Sequence, residues 1–269
     1  MVKTRPWHWK TYLRAVMKLK VLTALVIFYS SCVEKEKLTF EDFDKAYSTT
    51  HFDYFTHSDD YIDTTWQEKY IRWLLAELNI KDSGKIEYYK VQSKEKMVEL
   101  FDFEMNGYAK VDSNQLFTIW PKDNHECVHL IVCRNIGCPP ALFGEGMAVA
   151  YQANFVNDSV YFSWNGMDLN ILAKRYLENN KIPPLDSLMG IESFWKYDMN
   201  ILYPISGSFT RFLINKHGIE NFKGFIQGKE YLDSSAVIKS AFLQAFKVTI
   251  YVEWQNWITM LKEMKTDEI

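Results

Sequence analysis

Two histidines and a glutamate lie within five residues of each other in the stretch NHECVH. His125 and His129 are four residues apart, so on a helix they share one face, where their rings can converge on one metal ion. Glu126 points about 100° round the helix axis. There it can reach a water on the metal and take its proton. This spacing is typical of zinc-dependent hydrolysis; the alternative is an ordinary helix whose histidines face water or backbone carbonyls.

A third metal ligand decides between these alternatives. No histidine follows soon after His129, but Glu145 stands in the apolar stretch FGEGMAVAYQ. A first helix that ends at Gly137, a turn at two prolines, and a second helix would fold the Glu145 carboxylate back onto the histidine pair. Two His and one Glu with an open fourth position make a catalytic zinc site, whereas structural sites are closed and usually rich in Cys.

The elements that must position these residues differ between the two halves of the chain. The N-terminal half alternates strand and helix signals. They predict a strand at HFDYFTH, a helix at TTWQEKYIRWLLAELNI capped by Thr64 or Thr65, a strand at KIEYYKV, a helix opened by Ser93, and a hairpin of GYAKV and QLFTIW. The second hairpin strand leads directly into the histidine helix.

After the histidine helix the pattern is helical. Helices are predicted at PPALFGEGMAVAYQANF, SWNGMDLNILAKRYLENN, SGSFTRFLINKHG, IENFKGFIQG, DSSAVIKSAFLQAFK and YVEWQNWITMLKEM. The fold class is therefore α+β: a small N-terminal mixed sheet with helices, followed by an all-helical C-terminal half. The HExxH helix lies at the junction.

The first 31 residues read as a secretory signal. They hold six basic residues and no acidic one, then the short apolar run VLTALVIFY and the small residues before Cys32. The run is too short for a spanning helix, which needs about 20 residues. The Cys resembles the lipidated Cys of bacterial lipoproteins; the alternative is a soluble secreted protein with a free Cys32. Met17 begins a complete signal of this type, so it could be the true start.

The domain division follows from these signals. We expect a signal peptide at 1–31, a tether and N-terminal segment at 32–64, an α+β subdomain with an edge strand at 65–124, and a helical zinc-site subdomain at 125–269.

Charge and cysteine content restrict the function. Without residues 1–31 the 31 Lys+Arg fall by six to 25, against 34 Asp+Glu, so the net charge is −9. This acidic net charge argues against nucleic acid as a partner, because nucleic-acid binding needs a basic surface. Besides Cys32 there are three cysteines. Cys133 and Cys138 could bridge across the turn at Gly137, or all three could stay free thiols.

The stretch NHECVHLIV…FGEGMAVAYQ resembles the gluzincin zinc peptidases, in particular their compact branch, often called peptidase MA-like. The resemblance covers about residues 85–265, with its core at 107–152. It implies a zincin-like fold, zinc as the cofactor, His125, His129 and Glu145 as its ligands, and Glu126 as the general base.

Further segments take part in this resemblance. LYPISGSFTRFLINKHG is similar to the helix that follows the zinc helices in these proteins, and it places Tyr203 close to where larger gluzincins carry an oxyanion-stabilising tyrosine; Tyr197 is the second choice. A tyrosine packed at a helix start is the alternative. The resemblance also implies that an edge strand before the zinc helix binds extended peptide, with residues 116–120 and 106–109 lining the cleft.

The sequence departs from the wider family in two places. Val149 stands where thermolysin-like proteins have an Asp that orients a ligand histidine, so the partner of that histidine is not identified by the pattern. The Gly-x-Met-x-Asn element of the aminopeptidase type is also missing, and exopeptidase activity is not predicted.

These observations lead to one main hypothesis and two alternatives. The main hypothesis is a zinc metallopeptidase that hydrolyses peptide or protein substrates by Glu-assisted attack of zinc-bound water, anchored by lipid at Cys32 to the bacterial envelope outside the cytoplasm. The first alternative is a non-catalytic envelope lipoprotein that keeps the fold as a binding module. The second is a purely structural zinc with a cysteine as fourth ligand, although Cys127 should face away from the metal.

Overall fold

The computed structural model describes residues 37–57, 60–81, 84–156 and 159–265. The predicted signal segment, Met17 and Cys32 lie outside the described residues. Within the described ranges, no helix combines the length and the apolar character needed to cross a membrane. From Thr39 onward the chain forms one structural unit. The predicted subdomains 65–124 and 125–269 therefore share a single hydrophobic core.

A five-stranded mixed sheet forms the N-terminal part of the fold. Its spatial order is β1-β2-β3-β5-β4. The strands are β1 (Asp44–Ser48), β2 (Phe52–Thr56), β3 (Ile86–Lys90), β4 (Gly107–Lys110) and β5 (Gln115–Thr118). The three central strands β2, β3 and β5 are parallel, and the two outer strands run antiparallel to their neighbours. The small N-terminal mixed sheet predicted from the sequence is present, with β1 as an additional strand.

The position of the edge strand differs from the prediction. The strand that precedes the histidine helix, β5, is hydrogen-bonded on both sides, to β3 and to β4. Residues 116–120 therefore do not provide a free edge. The edge on this side is β4, which pairs with β5 and is the last strand in the sheet order.

Helix α1 (Thr64–Glu77) and helix α2 (Lys94–Phe101) connect the parallel strands. The N-cap of α1 is Asp63, whose side chain accepts from the Trp66 N–H, so the predicted caps Thr64 and Thr65 lie inside the helix. Ser93 caps α2 as expected. Along α1, Tyr70, Ile71 and Leu74 are fully buried at helical spacing, and they fix α1 against the core.

The next two helices are α3 (His125–Asn135) and α4 (Ala141–Ala150). The structure joins Cys133 to Cys138 by a disulfide in the turn between them. Helix α3 ends at Asn135, before Gly137, where the sequence predicted its end. A Cβ at residue 137 would lie 2.3 Å from the Ile226 carbonyl oxygen. Gly137 therefore allows two segments of backbone to approach closely.

The C-terminal half is not all helical, contrary to the prediction. A three-stranded antiparallel sheet follows α4, formed by β6 (Ala153–Val156), β7 (Ser159–Trp164) and β8 (Met167–Asp168). The predicted helix at SWNGMDLNILAKRYLENN begins at Leu169 instead. Asn165 and Gly166 both have positive φ, and an Asn-Gly pair of this kind makes a tight hairpin turn.

The remaining helices complete the core. They are α5 (Leu169–Glu178), α6 (Leu185–Leu188), α7 (Ile191–Phe194), α8 (Met199–His217), α9 (Ile219–Ile226), α10 (Ser235–Phe246) and α11 (Ile250–Glu263). Helix α8 starts earlier than predicted and contains Pro204. Pro204 has no N–H to give to the carbonyl of Asn200, and that carbonyl instead accepts the Tyr176 hydroxyl at 2.8 Å. This hydrogen bond replaces the one that the proline cannot make.

Candidate metal centre

Helix α3 presents the two histidines at its first and second turns. The helix start is held by Asp123, whose Oδ1 accepts the backbone N–H of Glu126 at 2.8 Å. Gln67 on α1 fixes Asp123 in turn: its amide donates to the Asp123 carbonyl at 2.7 Å and accepts from the Asp123 N–H at 2.9 Å. The opposite face of α3 is buried in the core. The imidazoles of His125 and His129 are therefore carried on a rigid support.

Helix α4 brings Glu145 to the same place. Every residue of α4 is buried, and it packs closely on α8 because Gly146 has no side chain: a Cβ there would lie 2.2 Å from Thr210 Oγ1 and 2.9 Å from the Ser206 carbonyl oxygen. The Cys133–Cys138 disulfide ties the end of α3 to the start of α4. The sequence prediction that the Glu145 helix folds back onto the histidine pair agrees with this geometry.

The three ligand atoms form a nearly equilateral triangle. His125 Nε2 lies 3.2 Å from His129 Nε2 and 3.2 Å from Glu145 Oε2, and His129 Nε2 lies 3.5 Å from Glu145 Oε2. In a tetrahedral zinc site with bonds of about 2.0–2.1 Å, two ligand atoms are roughly 3.3 Å apart. The observed spacing fits such an ion, and these three residues form a group within metal-binding distance.

The electrostatics of the triangle agree with a cation site. Burial disfavours the charged form of Glu145, but the two histidines outweigh it and hold the pKa of Glu145 well below its usual range. Burial likewise opposes protonation of His125 and His129, yet Glu145 raises the pKa of both rings. A buried carboxylate therefore stays ionised and attracts positive charge to the point where the three ligand atoms meet.

Glu126 lies beside this triangle and against the edge strand. A Cβ at Gly107 would stand 2.8 Å from Glu126 Oε1, and the Glu126 carboxylate accepts a hydrogen bond from the Ala109 backbone. Burial raises the pKa of Glu126 to about 8, even though His125 and the Ala109 hydrogen bond act in the other direction. Perturbed carboxylates in clefts are characteristic of proton-transfer sites.

Gln152 contacts the far side of the His125 ring. Its Oε1 lies 3.4 Å from His125 Nδ1, the nitrogen that does not face the triangle. The segment that carries it is tied to α3, because Asn124 Nδ2 donates to the Ala153 carbonyl. The Tyr70 hydroxyl also lies within hydrogen-bond distance of both the Asn124 and the Tyr151 carbonyls. An acceptor at Nδ1 keeps the proton there and leaves Nε2 free to bind a metal.

Tyr203 contacts the first of the two histidines. Its ring is stacked on that of His125, with ring centroids 5.5 Å apart. Burial, the charges of Glu145 and Glu126, and a hydrogen bond with Glu145 all raise its pKa, so the phenol remains protonated. Trp164 packs edge-on against Tyr203 with centroids 4.9 Å apart. Tyr203 thus reaches the site, whereas Tyr197 is not among the residues that line it.

Two further aromatic residues, Trp195 and Tyr231, line the site together with Tyr203. The sequence did not indicate either of them. Trp195 donates its Nε1–H to the Tyr231 hydroxyl at 3.0 Å. Burial raises the pKa of Tyr231, with a contribution from the nearby charge of Glu145. The Tyr231 loop is anchored to the turn between α3 and α4, since the Cys138 N–H donates to the Lys229 carbonyl at 2.8 Å.

A cleft of about 600 Å³ opens over the triangle. His125, His129, Glu145 and Glu126 line it, and its other walls are apolar or aromatic. The remaining lining residues are Phe103, Met105, Gly107, Tyr108, Ala109, Val111, Val128, Val132, Cys133, Cys138, Pro139, Gly144, Trp195, Tyr203 and Tyr231. The segment 106–109 thus lines the cleft through three of its residues, as expected, whereas residues 116–120, which were expected to line it too, do not.

Cys127 and His217 do not line the cleft. Cys127 is a buried free thiol that accepts a hydrogen bond from Gln67, on the side of α3 away from the triangle. His217 ends α8 and contacts Glu253. Gln152, Tyr231 and Trp195 carried no local sequence signal, because only the tertiary fold brings them to the site.

Comparison of the chain with protein-family models, curated proteins and solved structures gives no match.

Proposed function

We propose that the protein is a zinc-dependent peptidase of the gluzincin type, with a zincin-like arrangement around the HExxH helix. The observation that carries this proposal is the triangle of His125, His129 and Glu145 ligand atoms with the Glu126 carboxylate beside it in a cleft. Four residues with the types and positions required for metal-assisted hydrolysis converge there, although they come from two helices.

His125 and His129 would hold the zinc through Nε2 and Glu145 through Oε2. When bound, zinc supplies a Lewis acid that polarises a carbonyl group and lowers the pKa of water to about 7. The donor set supports zinc because it combines nitrogen and oxygen ligands at tetrahedral spacing, and three protein ligands leave room for a fourth partner. A purely structural zinc is not supported, since none of Cys127, Cys133 and Cys138 joins the group.

Glu126 is the proposed general base. Burial favours the protonated form of Glu126, whereas the positive charge of a bound zinc would favour the ionised form. The ionised carboxylate can take a proton from the water that attacks the peptide carbonyl and pass it to the leaving amine. The Ala109 N–H orients the carboxylate toward the cleft. Tyr203 remains protonated and can donate a hydrogen bond to the carbonyl oxygen as negative charge develops there.

The edge strand β4 is the proposed binding surface for an extended peptide. The Ile119 N–H donates to the Asn106 carbonyl, and hydrogen bonding alternates along an antiparallel pair. The backbone groups of Gly107 and Ala109 therefore point away from β5, toward the cleft. The Ala109 N–H is bound to Glu126, so a peptide could add to β4 as a further strand through Gly107 and the Ala109 carbonyl, with its own carbonyl next to Glu126.

Attachment to the bacterial envelope, through lipid at Cys32, is part of the same proposal. It is supported by the basic and apolar leader in the sequence and by the Cys133–Cys138 disulfide. Disulfides persist mainly in oxidising compartments outside the cytoplasm.

Zinc analysis together with Glu126→Gln tests the proposal. The wild-type protein should bind one zinc per chain and cleave peptides from a broad library. Glu126→Gln should keep the zinc and lose cleavage by about 10²–10⁴-fold, the usual contribution of a general base. The proposal fails if the purified protein binds no stoichiometric zinc, or if Glu126→Gln cleaves as fast as wild type. Tight zinc binding with no cleavage by wild type would favour the non-catalytic binding module.

A further inference from the structure

The Tyr231 hydroxyl lines the cleft with one of its hydrogen bonds already made. An indole N–H can only donate, so the Tyr231 oxygen is the acceptor in its 3.0 Å contact with Trp195 Nε1. The hydroxyl keeps its own proton, and the part of the chain that the structure describes offers no acceptor for it. Burial raises the pKa of Tyr231, so the phenol stays protonated at neutral pH. A hydrogen-bond donor is therefore available in the cleft.

Both members of this pair are held by the surrounding structure. The loop that carries Tyr231 is tied to the turn between α3 and α4, where the Gly228 N–H donates to the Ile136 carbonyl at 3.0 Å. Trp195 follows Phe194, which is fully buried, and the centroids of their two rings are 5.0 Å apart. The direction of the Tyr231 hydroxyl is thus fixed before any ligand binds, and little side-chain entropy is lost when the hydroxyl donates.

Tyr231 is less closely connected to the proposed metal centre than Tyr203. The Tyr203 ring is stacked on His125, and Tyr203 has a hydrogen bond with Glu145. Glu145 affects Tyr231 through its charge, which adds to the effect of burial on the pKa of Tyr231. The reacting carbonyl is therefore assigned to Tyr203, and Tyr231 is placed for a neighbouring group of the substrate.

A peptide added to β4 would need such a donor. The backbone groups of a strand point alternately to its two sides, so a peptide paired with β4 on one side leaves N–H and C=O groups unpaired on the other. Their partners must come from another wall of the cleft. The proposed metal ligands, Glu126 and Tyr203 are assigned to the chemistry, Tyr108 belongs to β4, and Trp195 already donates to Tyr231.

We propose that Tyr231 binds the substrate main chain, with its hydroxyl donating a hydrogen bond to a peptide carbonyl next to the reacting bond, and that Trp195 is the positioning residue for this hydroxyl. The inference rests on the peptidase function proposed above. The ligand is an extended polypeptide, and the contact does not depend on the type of its side chains.

Calorimetric titration with peptides tests the inference without relying on cleavage. The protein is zinc-loaded Glu126→Gln, and the probes are the capped pentapeptides Ala-Ala-Leu-Ala-Ala and Ala-Ala-Ser-Ala-Ala. Tyr231→Phe, added to this variant, should weaken binding by about 3–10-fold, the effect of losing one neutral hydrogen bond. The factor should be the same for both peptides, because the contact is made to the main chain. Trp195→Phe should weaken binding less and should have no further effect when combined with Tyr231→Phe.

Two matched controls separate this role from a general effect on the fold. Tyr251 is as exposed as Tyr231 and its hydroxyl also has a hydrogen-bond partner, Asp186, but it does not line the cleft. Trp120 is likewise an exposed tryptophan outside the cleft. Tyr251→Phe and Trp120→Phe should bind both peptides as tightly as the Glu126→Gln parent, and all variants should keep the same zinc content.

Steady-state kinetics give a second readout. With Glu126 intact, Tyr231→Phe should raise KM with kcat nearly unchanged, because a contact made equally in the ground state and the transition state affects binding alone. A fall in kcat at constant KM would place Tyr231 on the reacting carbonyl and overturn the assignment.

The outcomes separate the two proposals. If Tyr231→Phe binds both peptides as tightly as its parent, or if Tyr251→Phe loses as much affinity, the inference fails even where wild type is an active zinc peptidase. No peptide binding by the Glu126→Gln parent overturns it as well. Weaker peptide binding by Tyr231→Phe together with no cleavage by wild type would support the role of Tyr231 and count against the peptidase function.

Discussion

The Glu126 carboxylate rests against the backbone of Gly107, so closely that a Cβ at residue 107 would lie 2.7 Å from Glu126 Cγ. The proposed base and the proposed peptide-binding strand are thus in direct contact. The absence of a side chain at one residue of β4 sets the position of the carboxylate.

Replacement of Gly107 by Ala should therefore displace Glu126 while the metal ligands remain in place. We expect kcat to fall by about 10–100-fold, because a shift of about 1 Å in a catalytic group can cost this much. Zinc content should not change. Gly224→Ala is the control, since nothing lies within 4 Å of a Cβ there. Peptide hydrolysis and metal analysis of both variants test this; a Gly107→Ala enzyme as active as wild type would contradict it.

Tyr203→Phe removes the hydroxyl and keeps the ring stacked on His125. If the hydroxyl donates to the developing oxyanion, kcat/KM should fall by about 10²–10³-fold with zinc affinity nearly unchanged. Tyr197→Phe should have little effect, because Tyr197 does not line the cleft. Steady-state kinetics on one apolar peptide distinguish the two tyrosines. Equal losses in both variants would exclude a specific role for Tyr203.

Gln152→Leu removes the acceptor that faces His125 Nδ1. Zinc affinity should fall by about 10–100-fold, the usual effect of losing the hydrogen-bond partner of a ligand histidine. Gln152→Glu keeps an acceptor and adds negative charge, so it should bind zinc at least as tightly as wild type. Competition with a fluorescent chelator measures both variants. If Gln152→Leu retains wild-type affinity, Gln152 does not position His125.

Glu253 provides a stability prediction away from the cleft. This buried carboxylate accepts from Lys216 Nζ at 2.6 Å and contacts His217 Nε2 at 3.1 Å. Burial acts to raise its pKa, but Lys216, Asn256 and His217 outweigh burial and lower it. Glu253→Gln should destabilise the zinc-free protein at pH 7 by about 1–3 kcal/mol, because hydrogen bonds to a charged group are lost.

The pH dependence of this effect has a definite sign. A carboxyl whose folded pKa is below its unfolded value stabilises the protein above the unfolded pKa, near 4.3 for Glu, and this contribution is lost as the pH falls through the folded pKa. The stability difference between wild type and Glu253→Gln should therefore shrink below about pH 4. Urea unfolding across pH 3.5–7 measures it. A difference that grows on acidification would contradict the assignment.

Local signals account for the parts of the structure that were predicted. Apolar residues at helical spacing, the two prolines before α4 and the short turn between α3 and α4 are enough to place His125, His129 and Glu145 on facing helices. The α+β class and the β4–β5 hairpin follow from alternation in the same way. The Cys133–Cys138 bond remained open because a spacing of five residues permits either a bridge or two thiols.

Other features depend on contacts that a pattern cannot show. The apolar spacing in SWNGMDLN predicts a helix, but Asn165 and Gly166 adopt positive φ and form a hairpin turn there. Strand order placed β4, not β5, at the edge, although the hairpin signal is the same for either order. Gln152 and Tyr231 reach the centre only through tertiary packing.

The three proposed metal ligands belong to a local part of the chain, because His125 and Glu145 are only twenty residues apart and a disulfide closes a short ring between them. By contrast, Tyr203 and Tyr231 come from distant segments that must dock separately. However, helix α8, which carries Tyr203, also packs closely on α4, which carries Glu145. Damage to α8 would therefore disturb the wall of the cleft and the position of Glu145 together. If the proposed zinc site is correct, bound metal and activity should be lost in parallel.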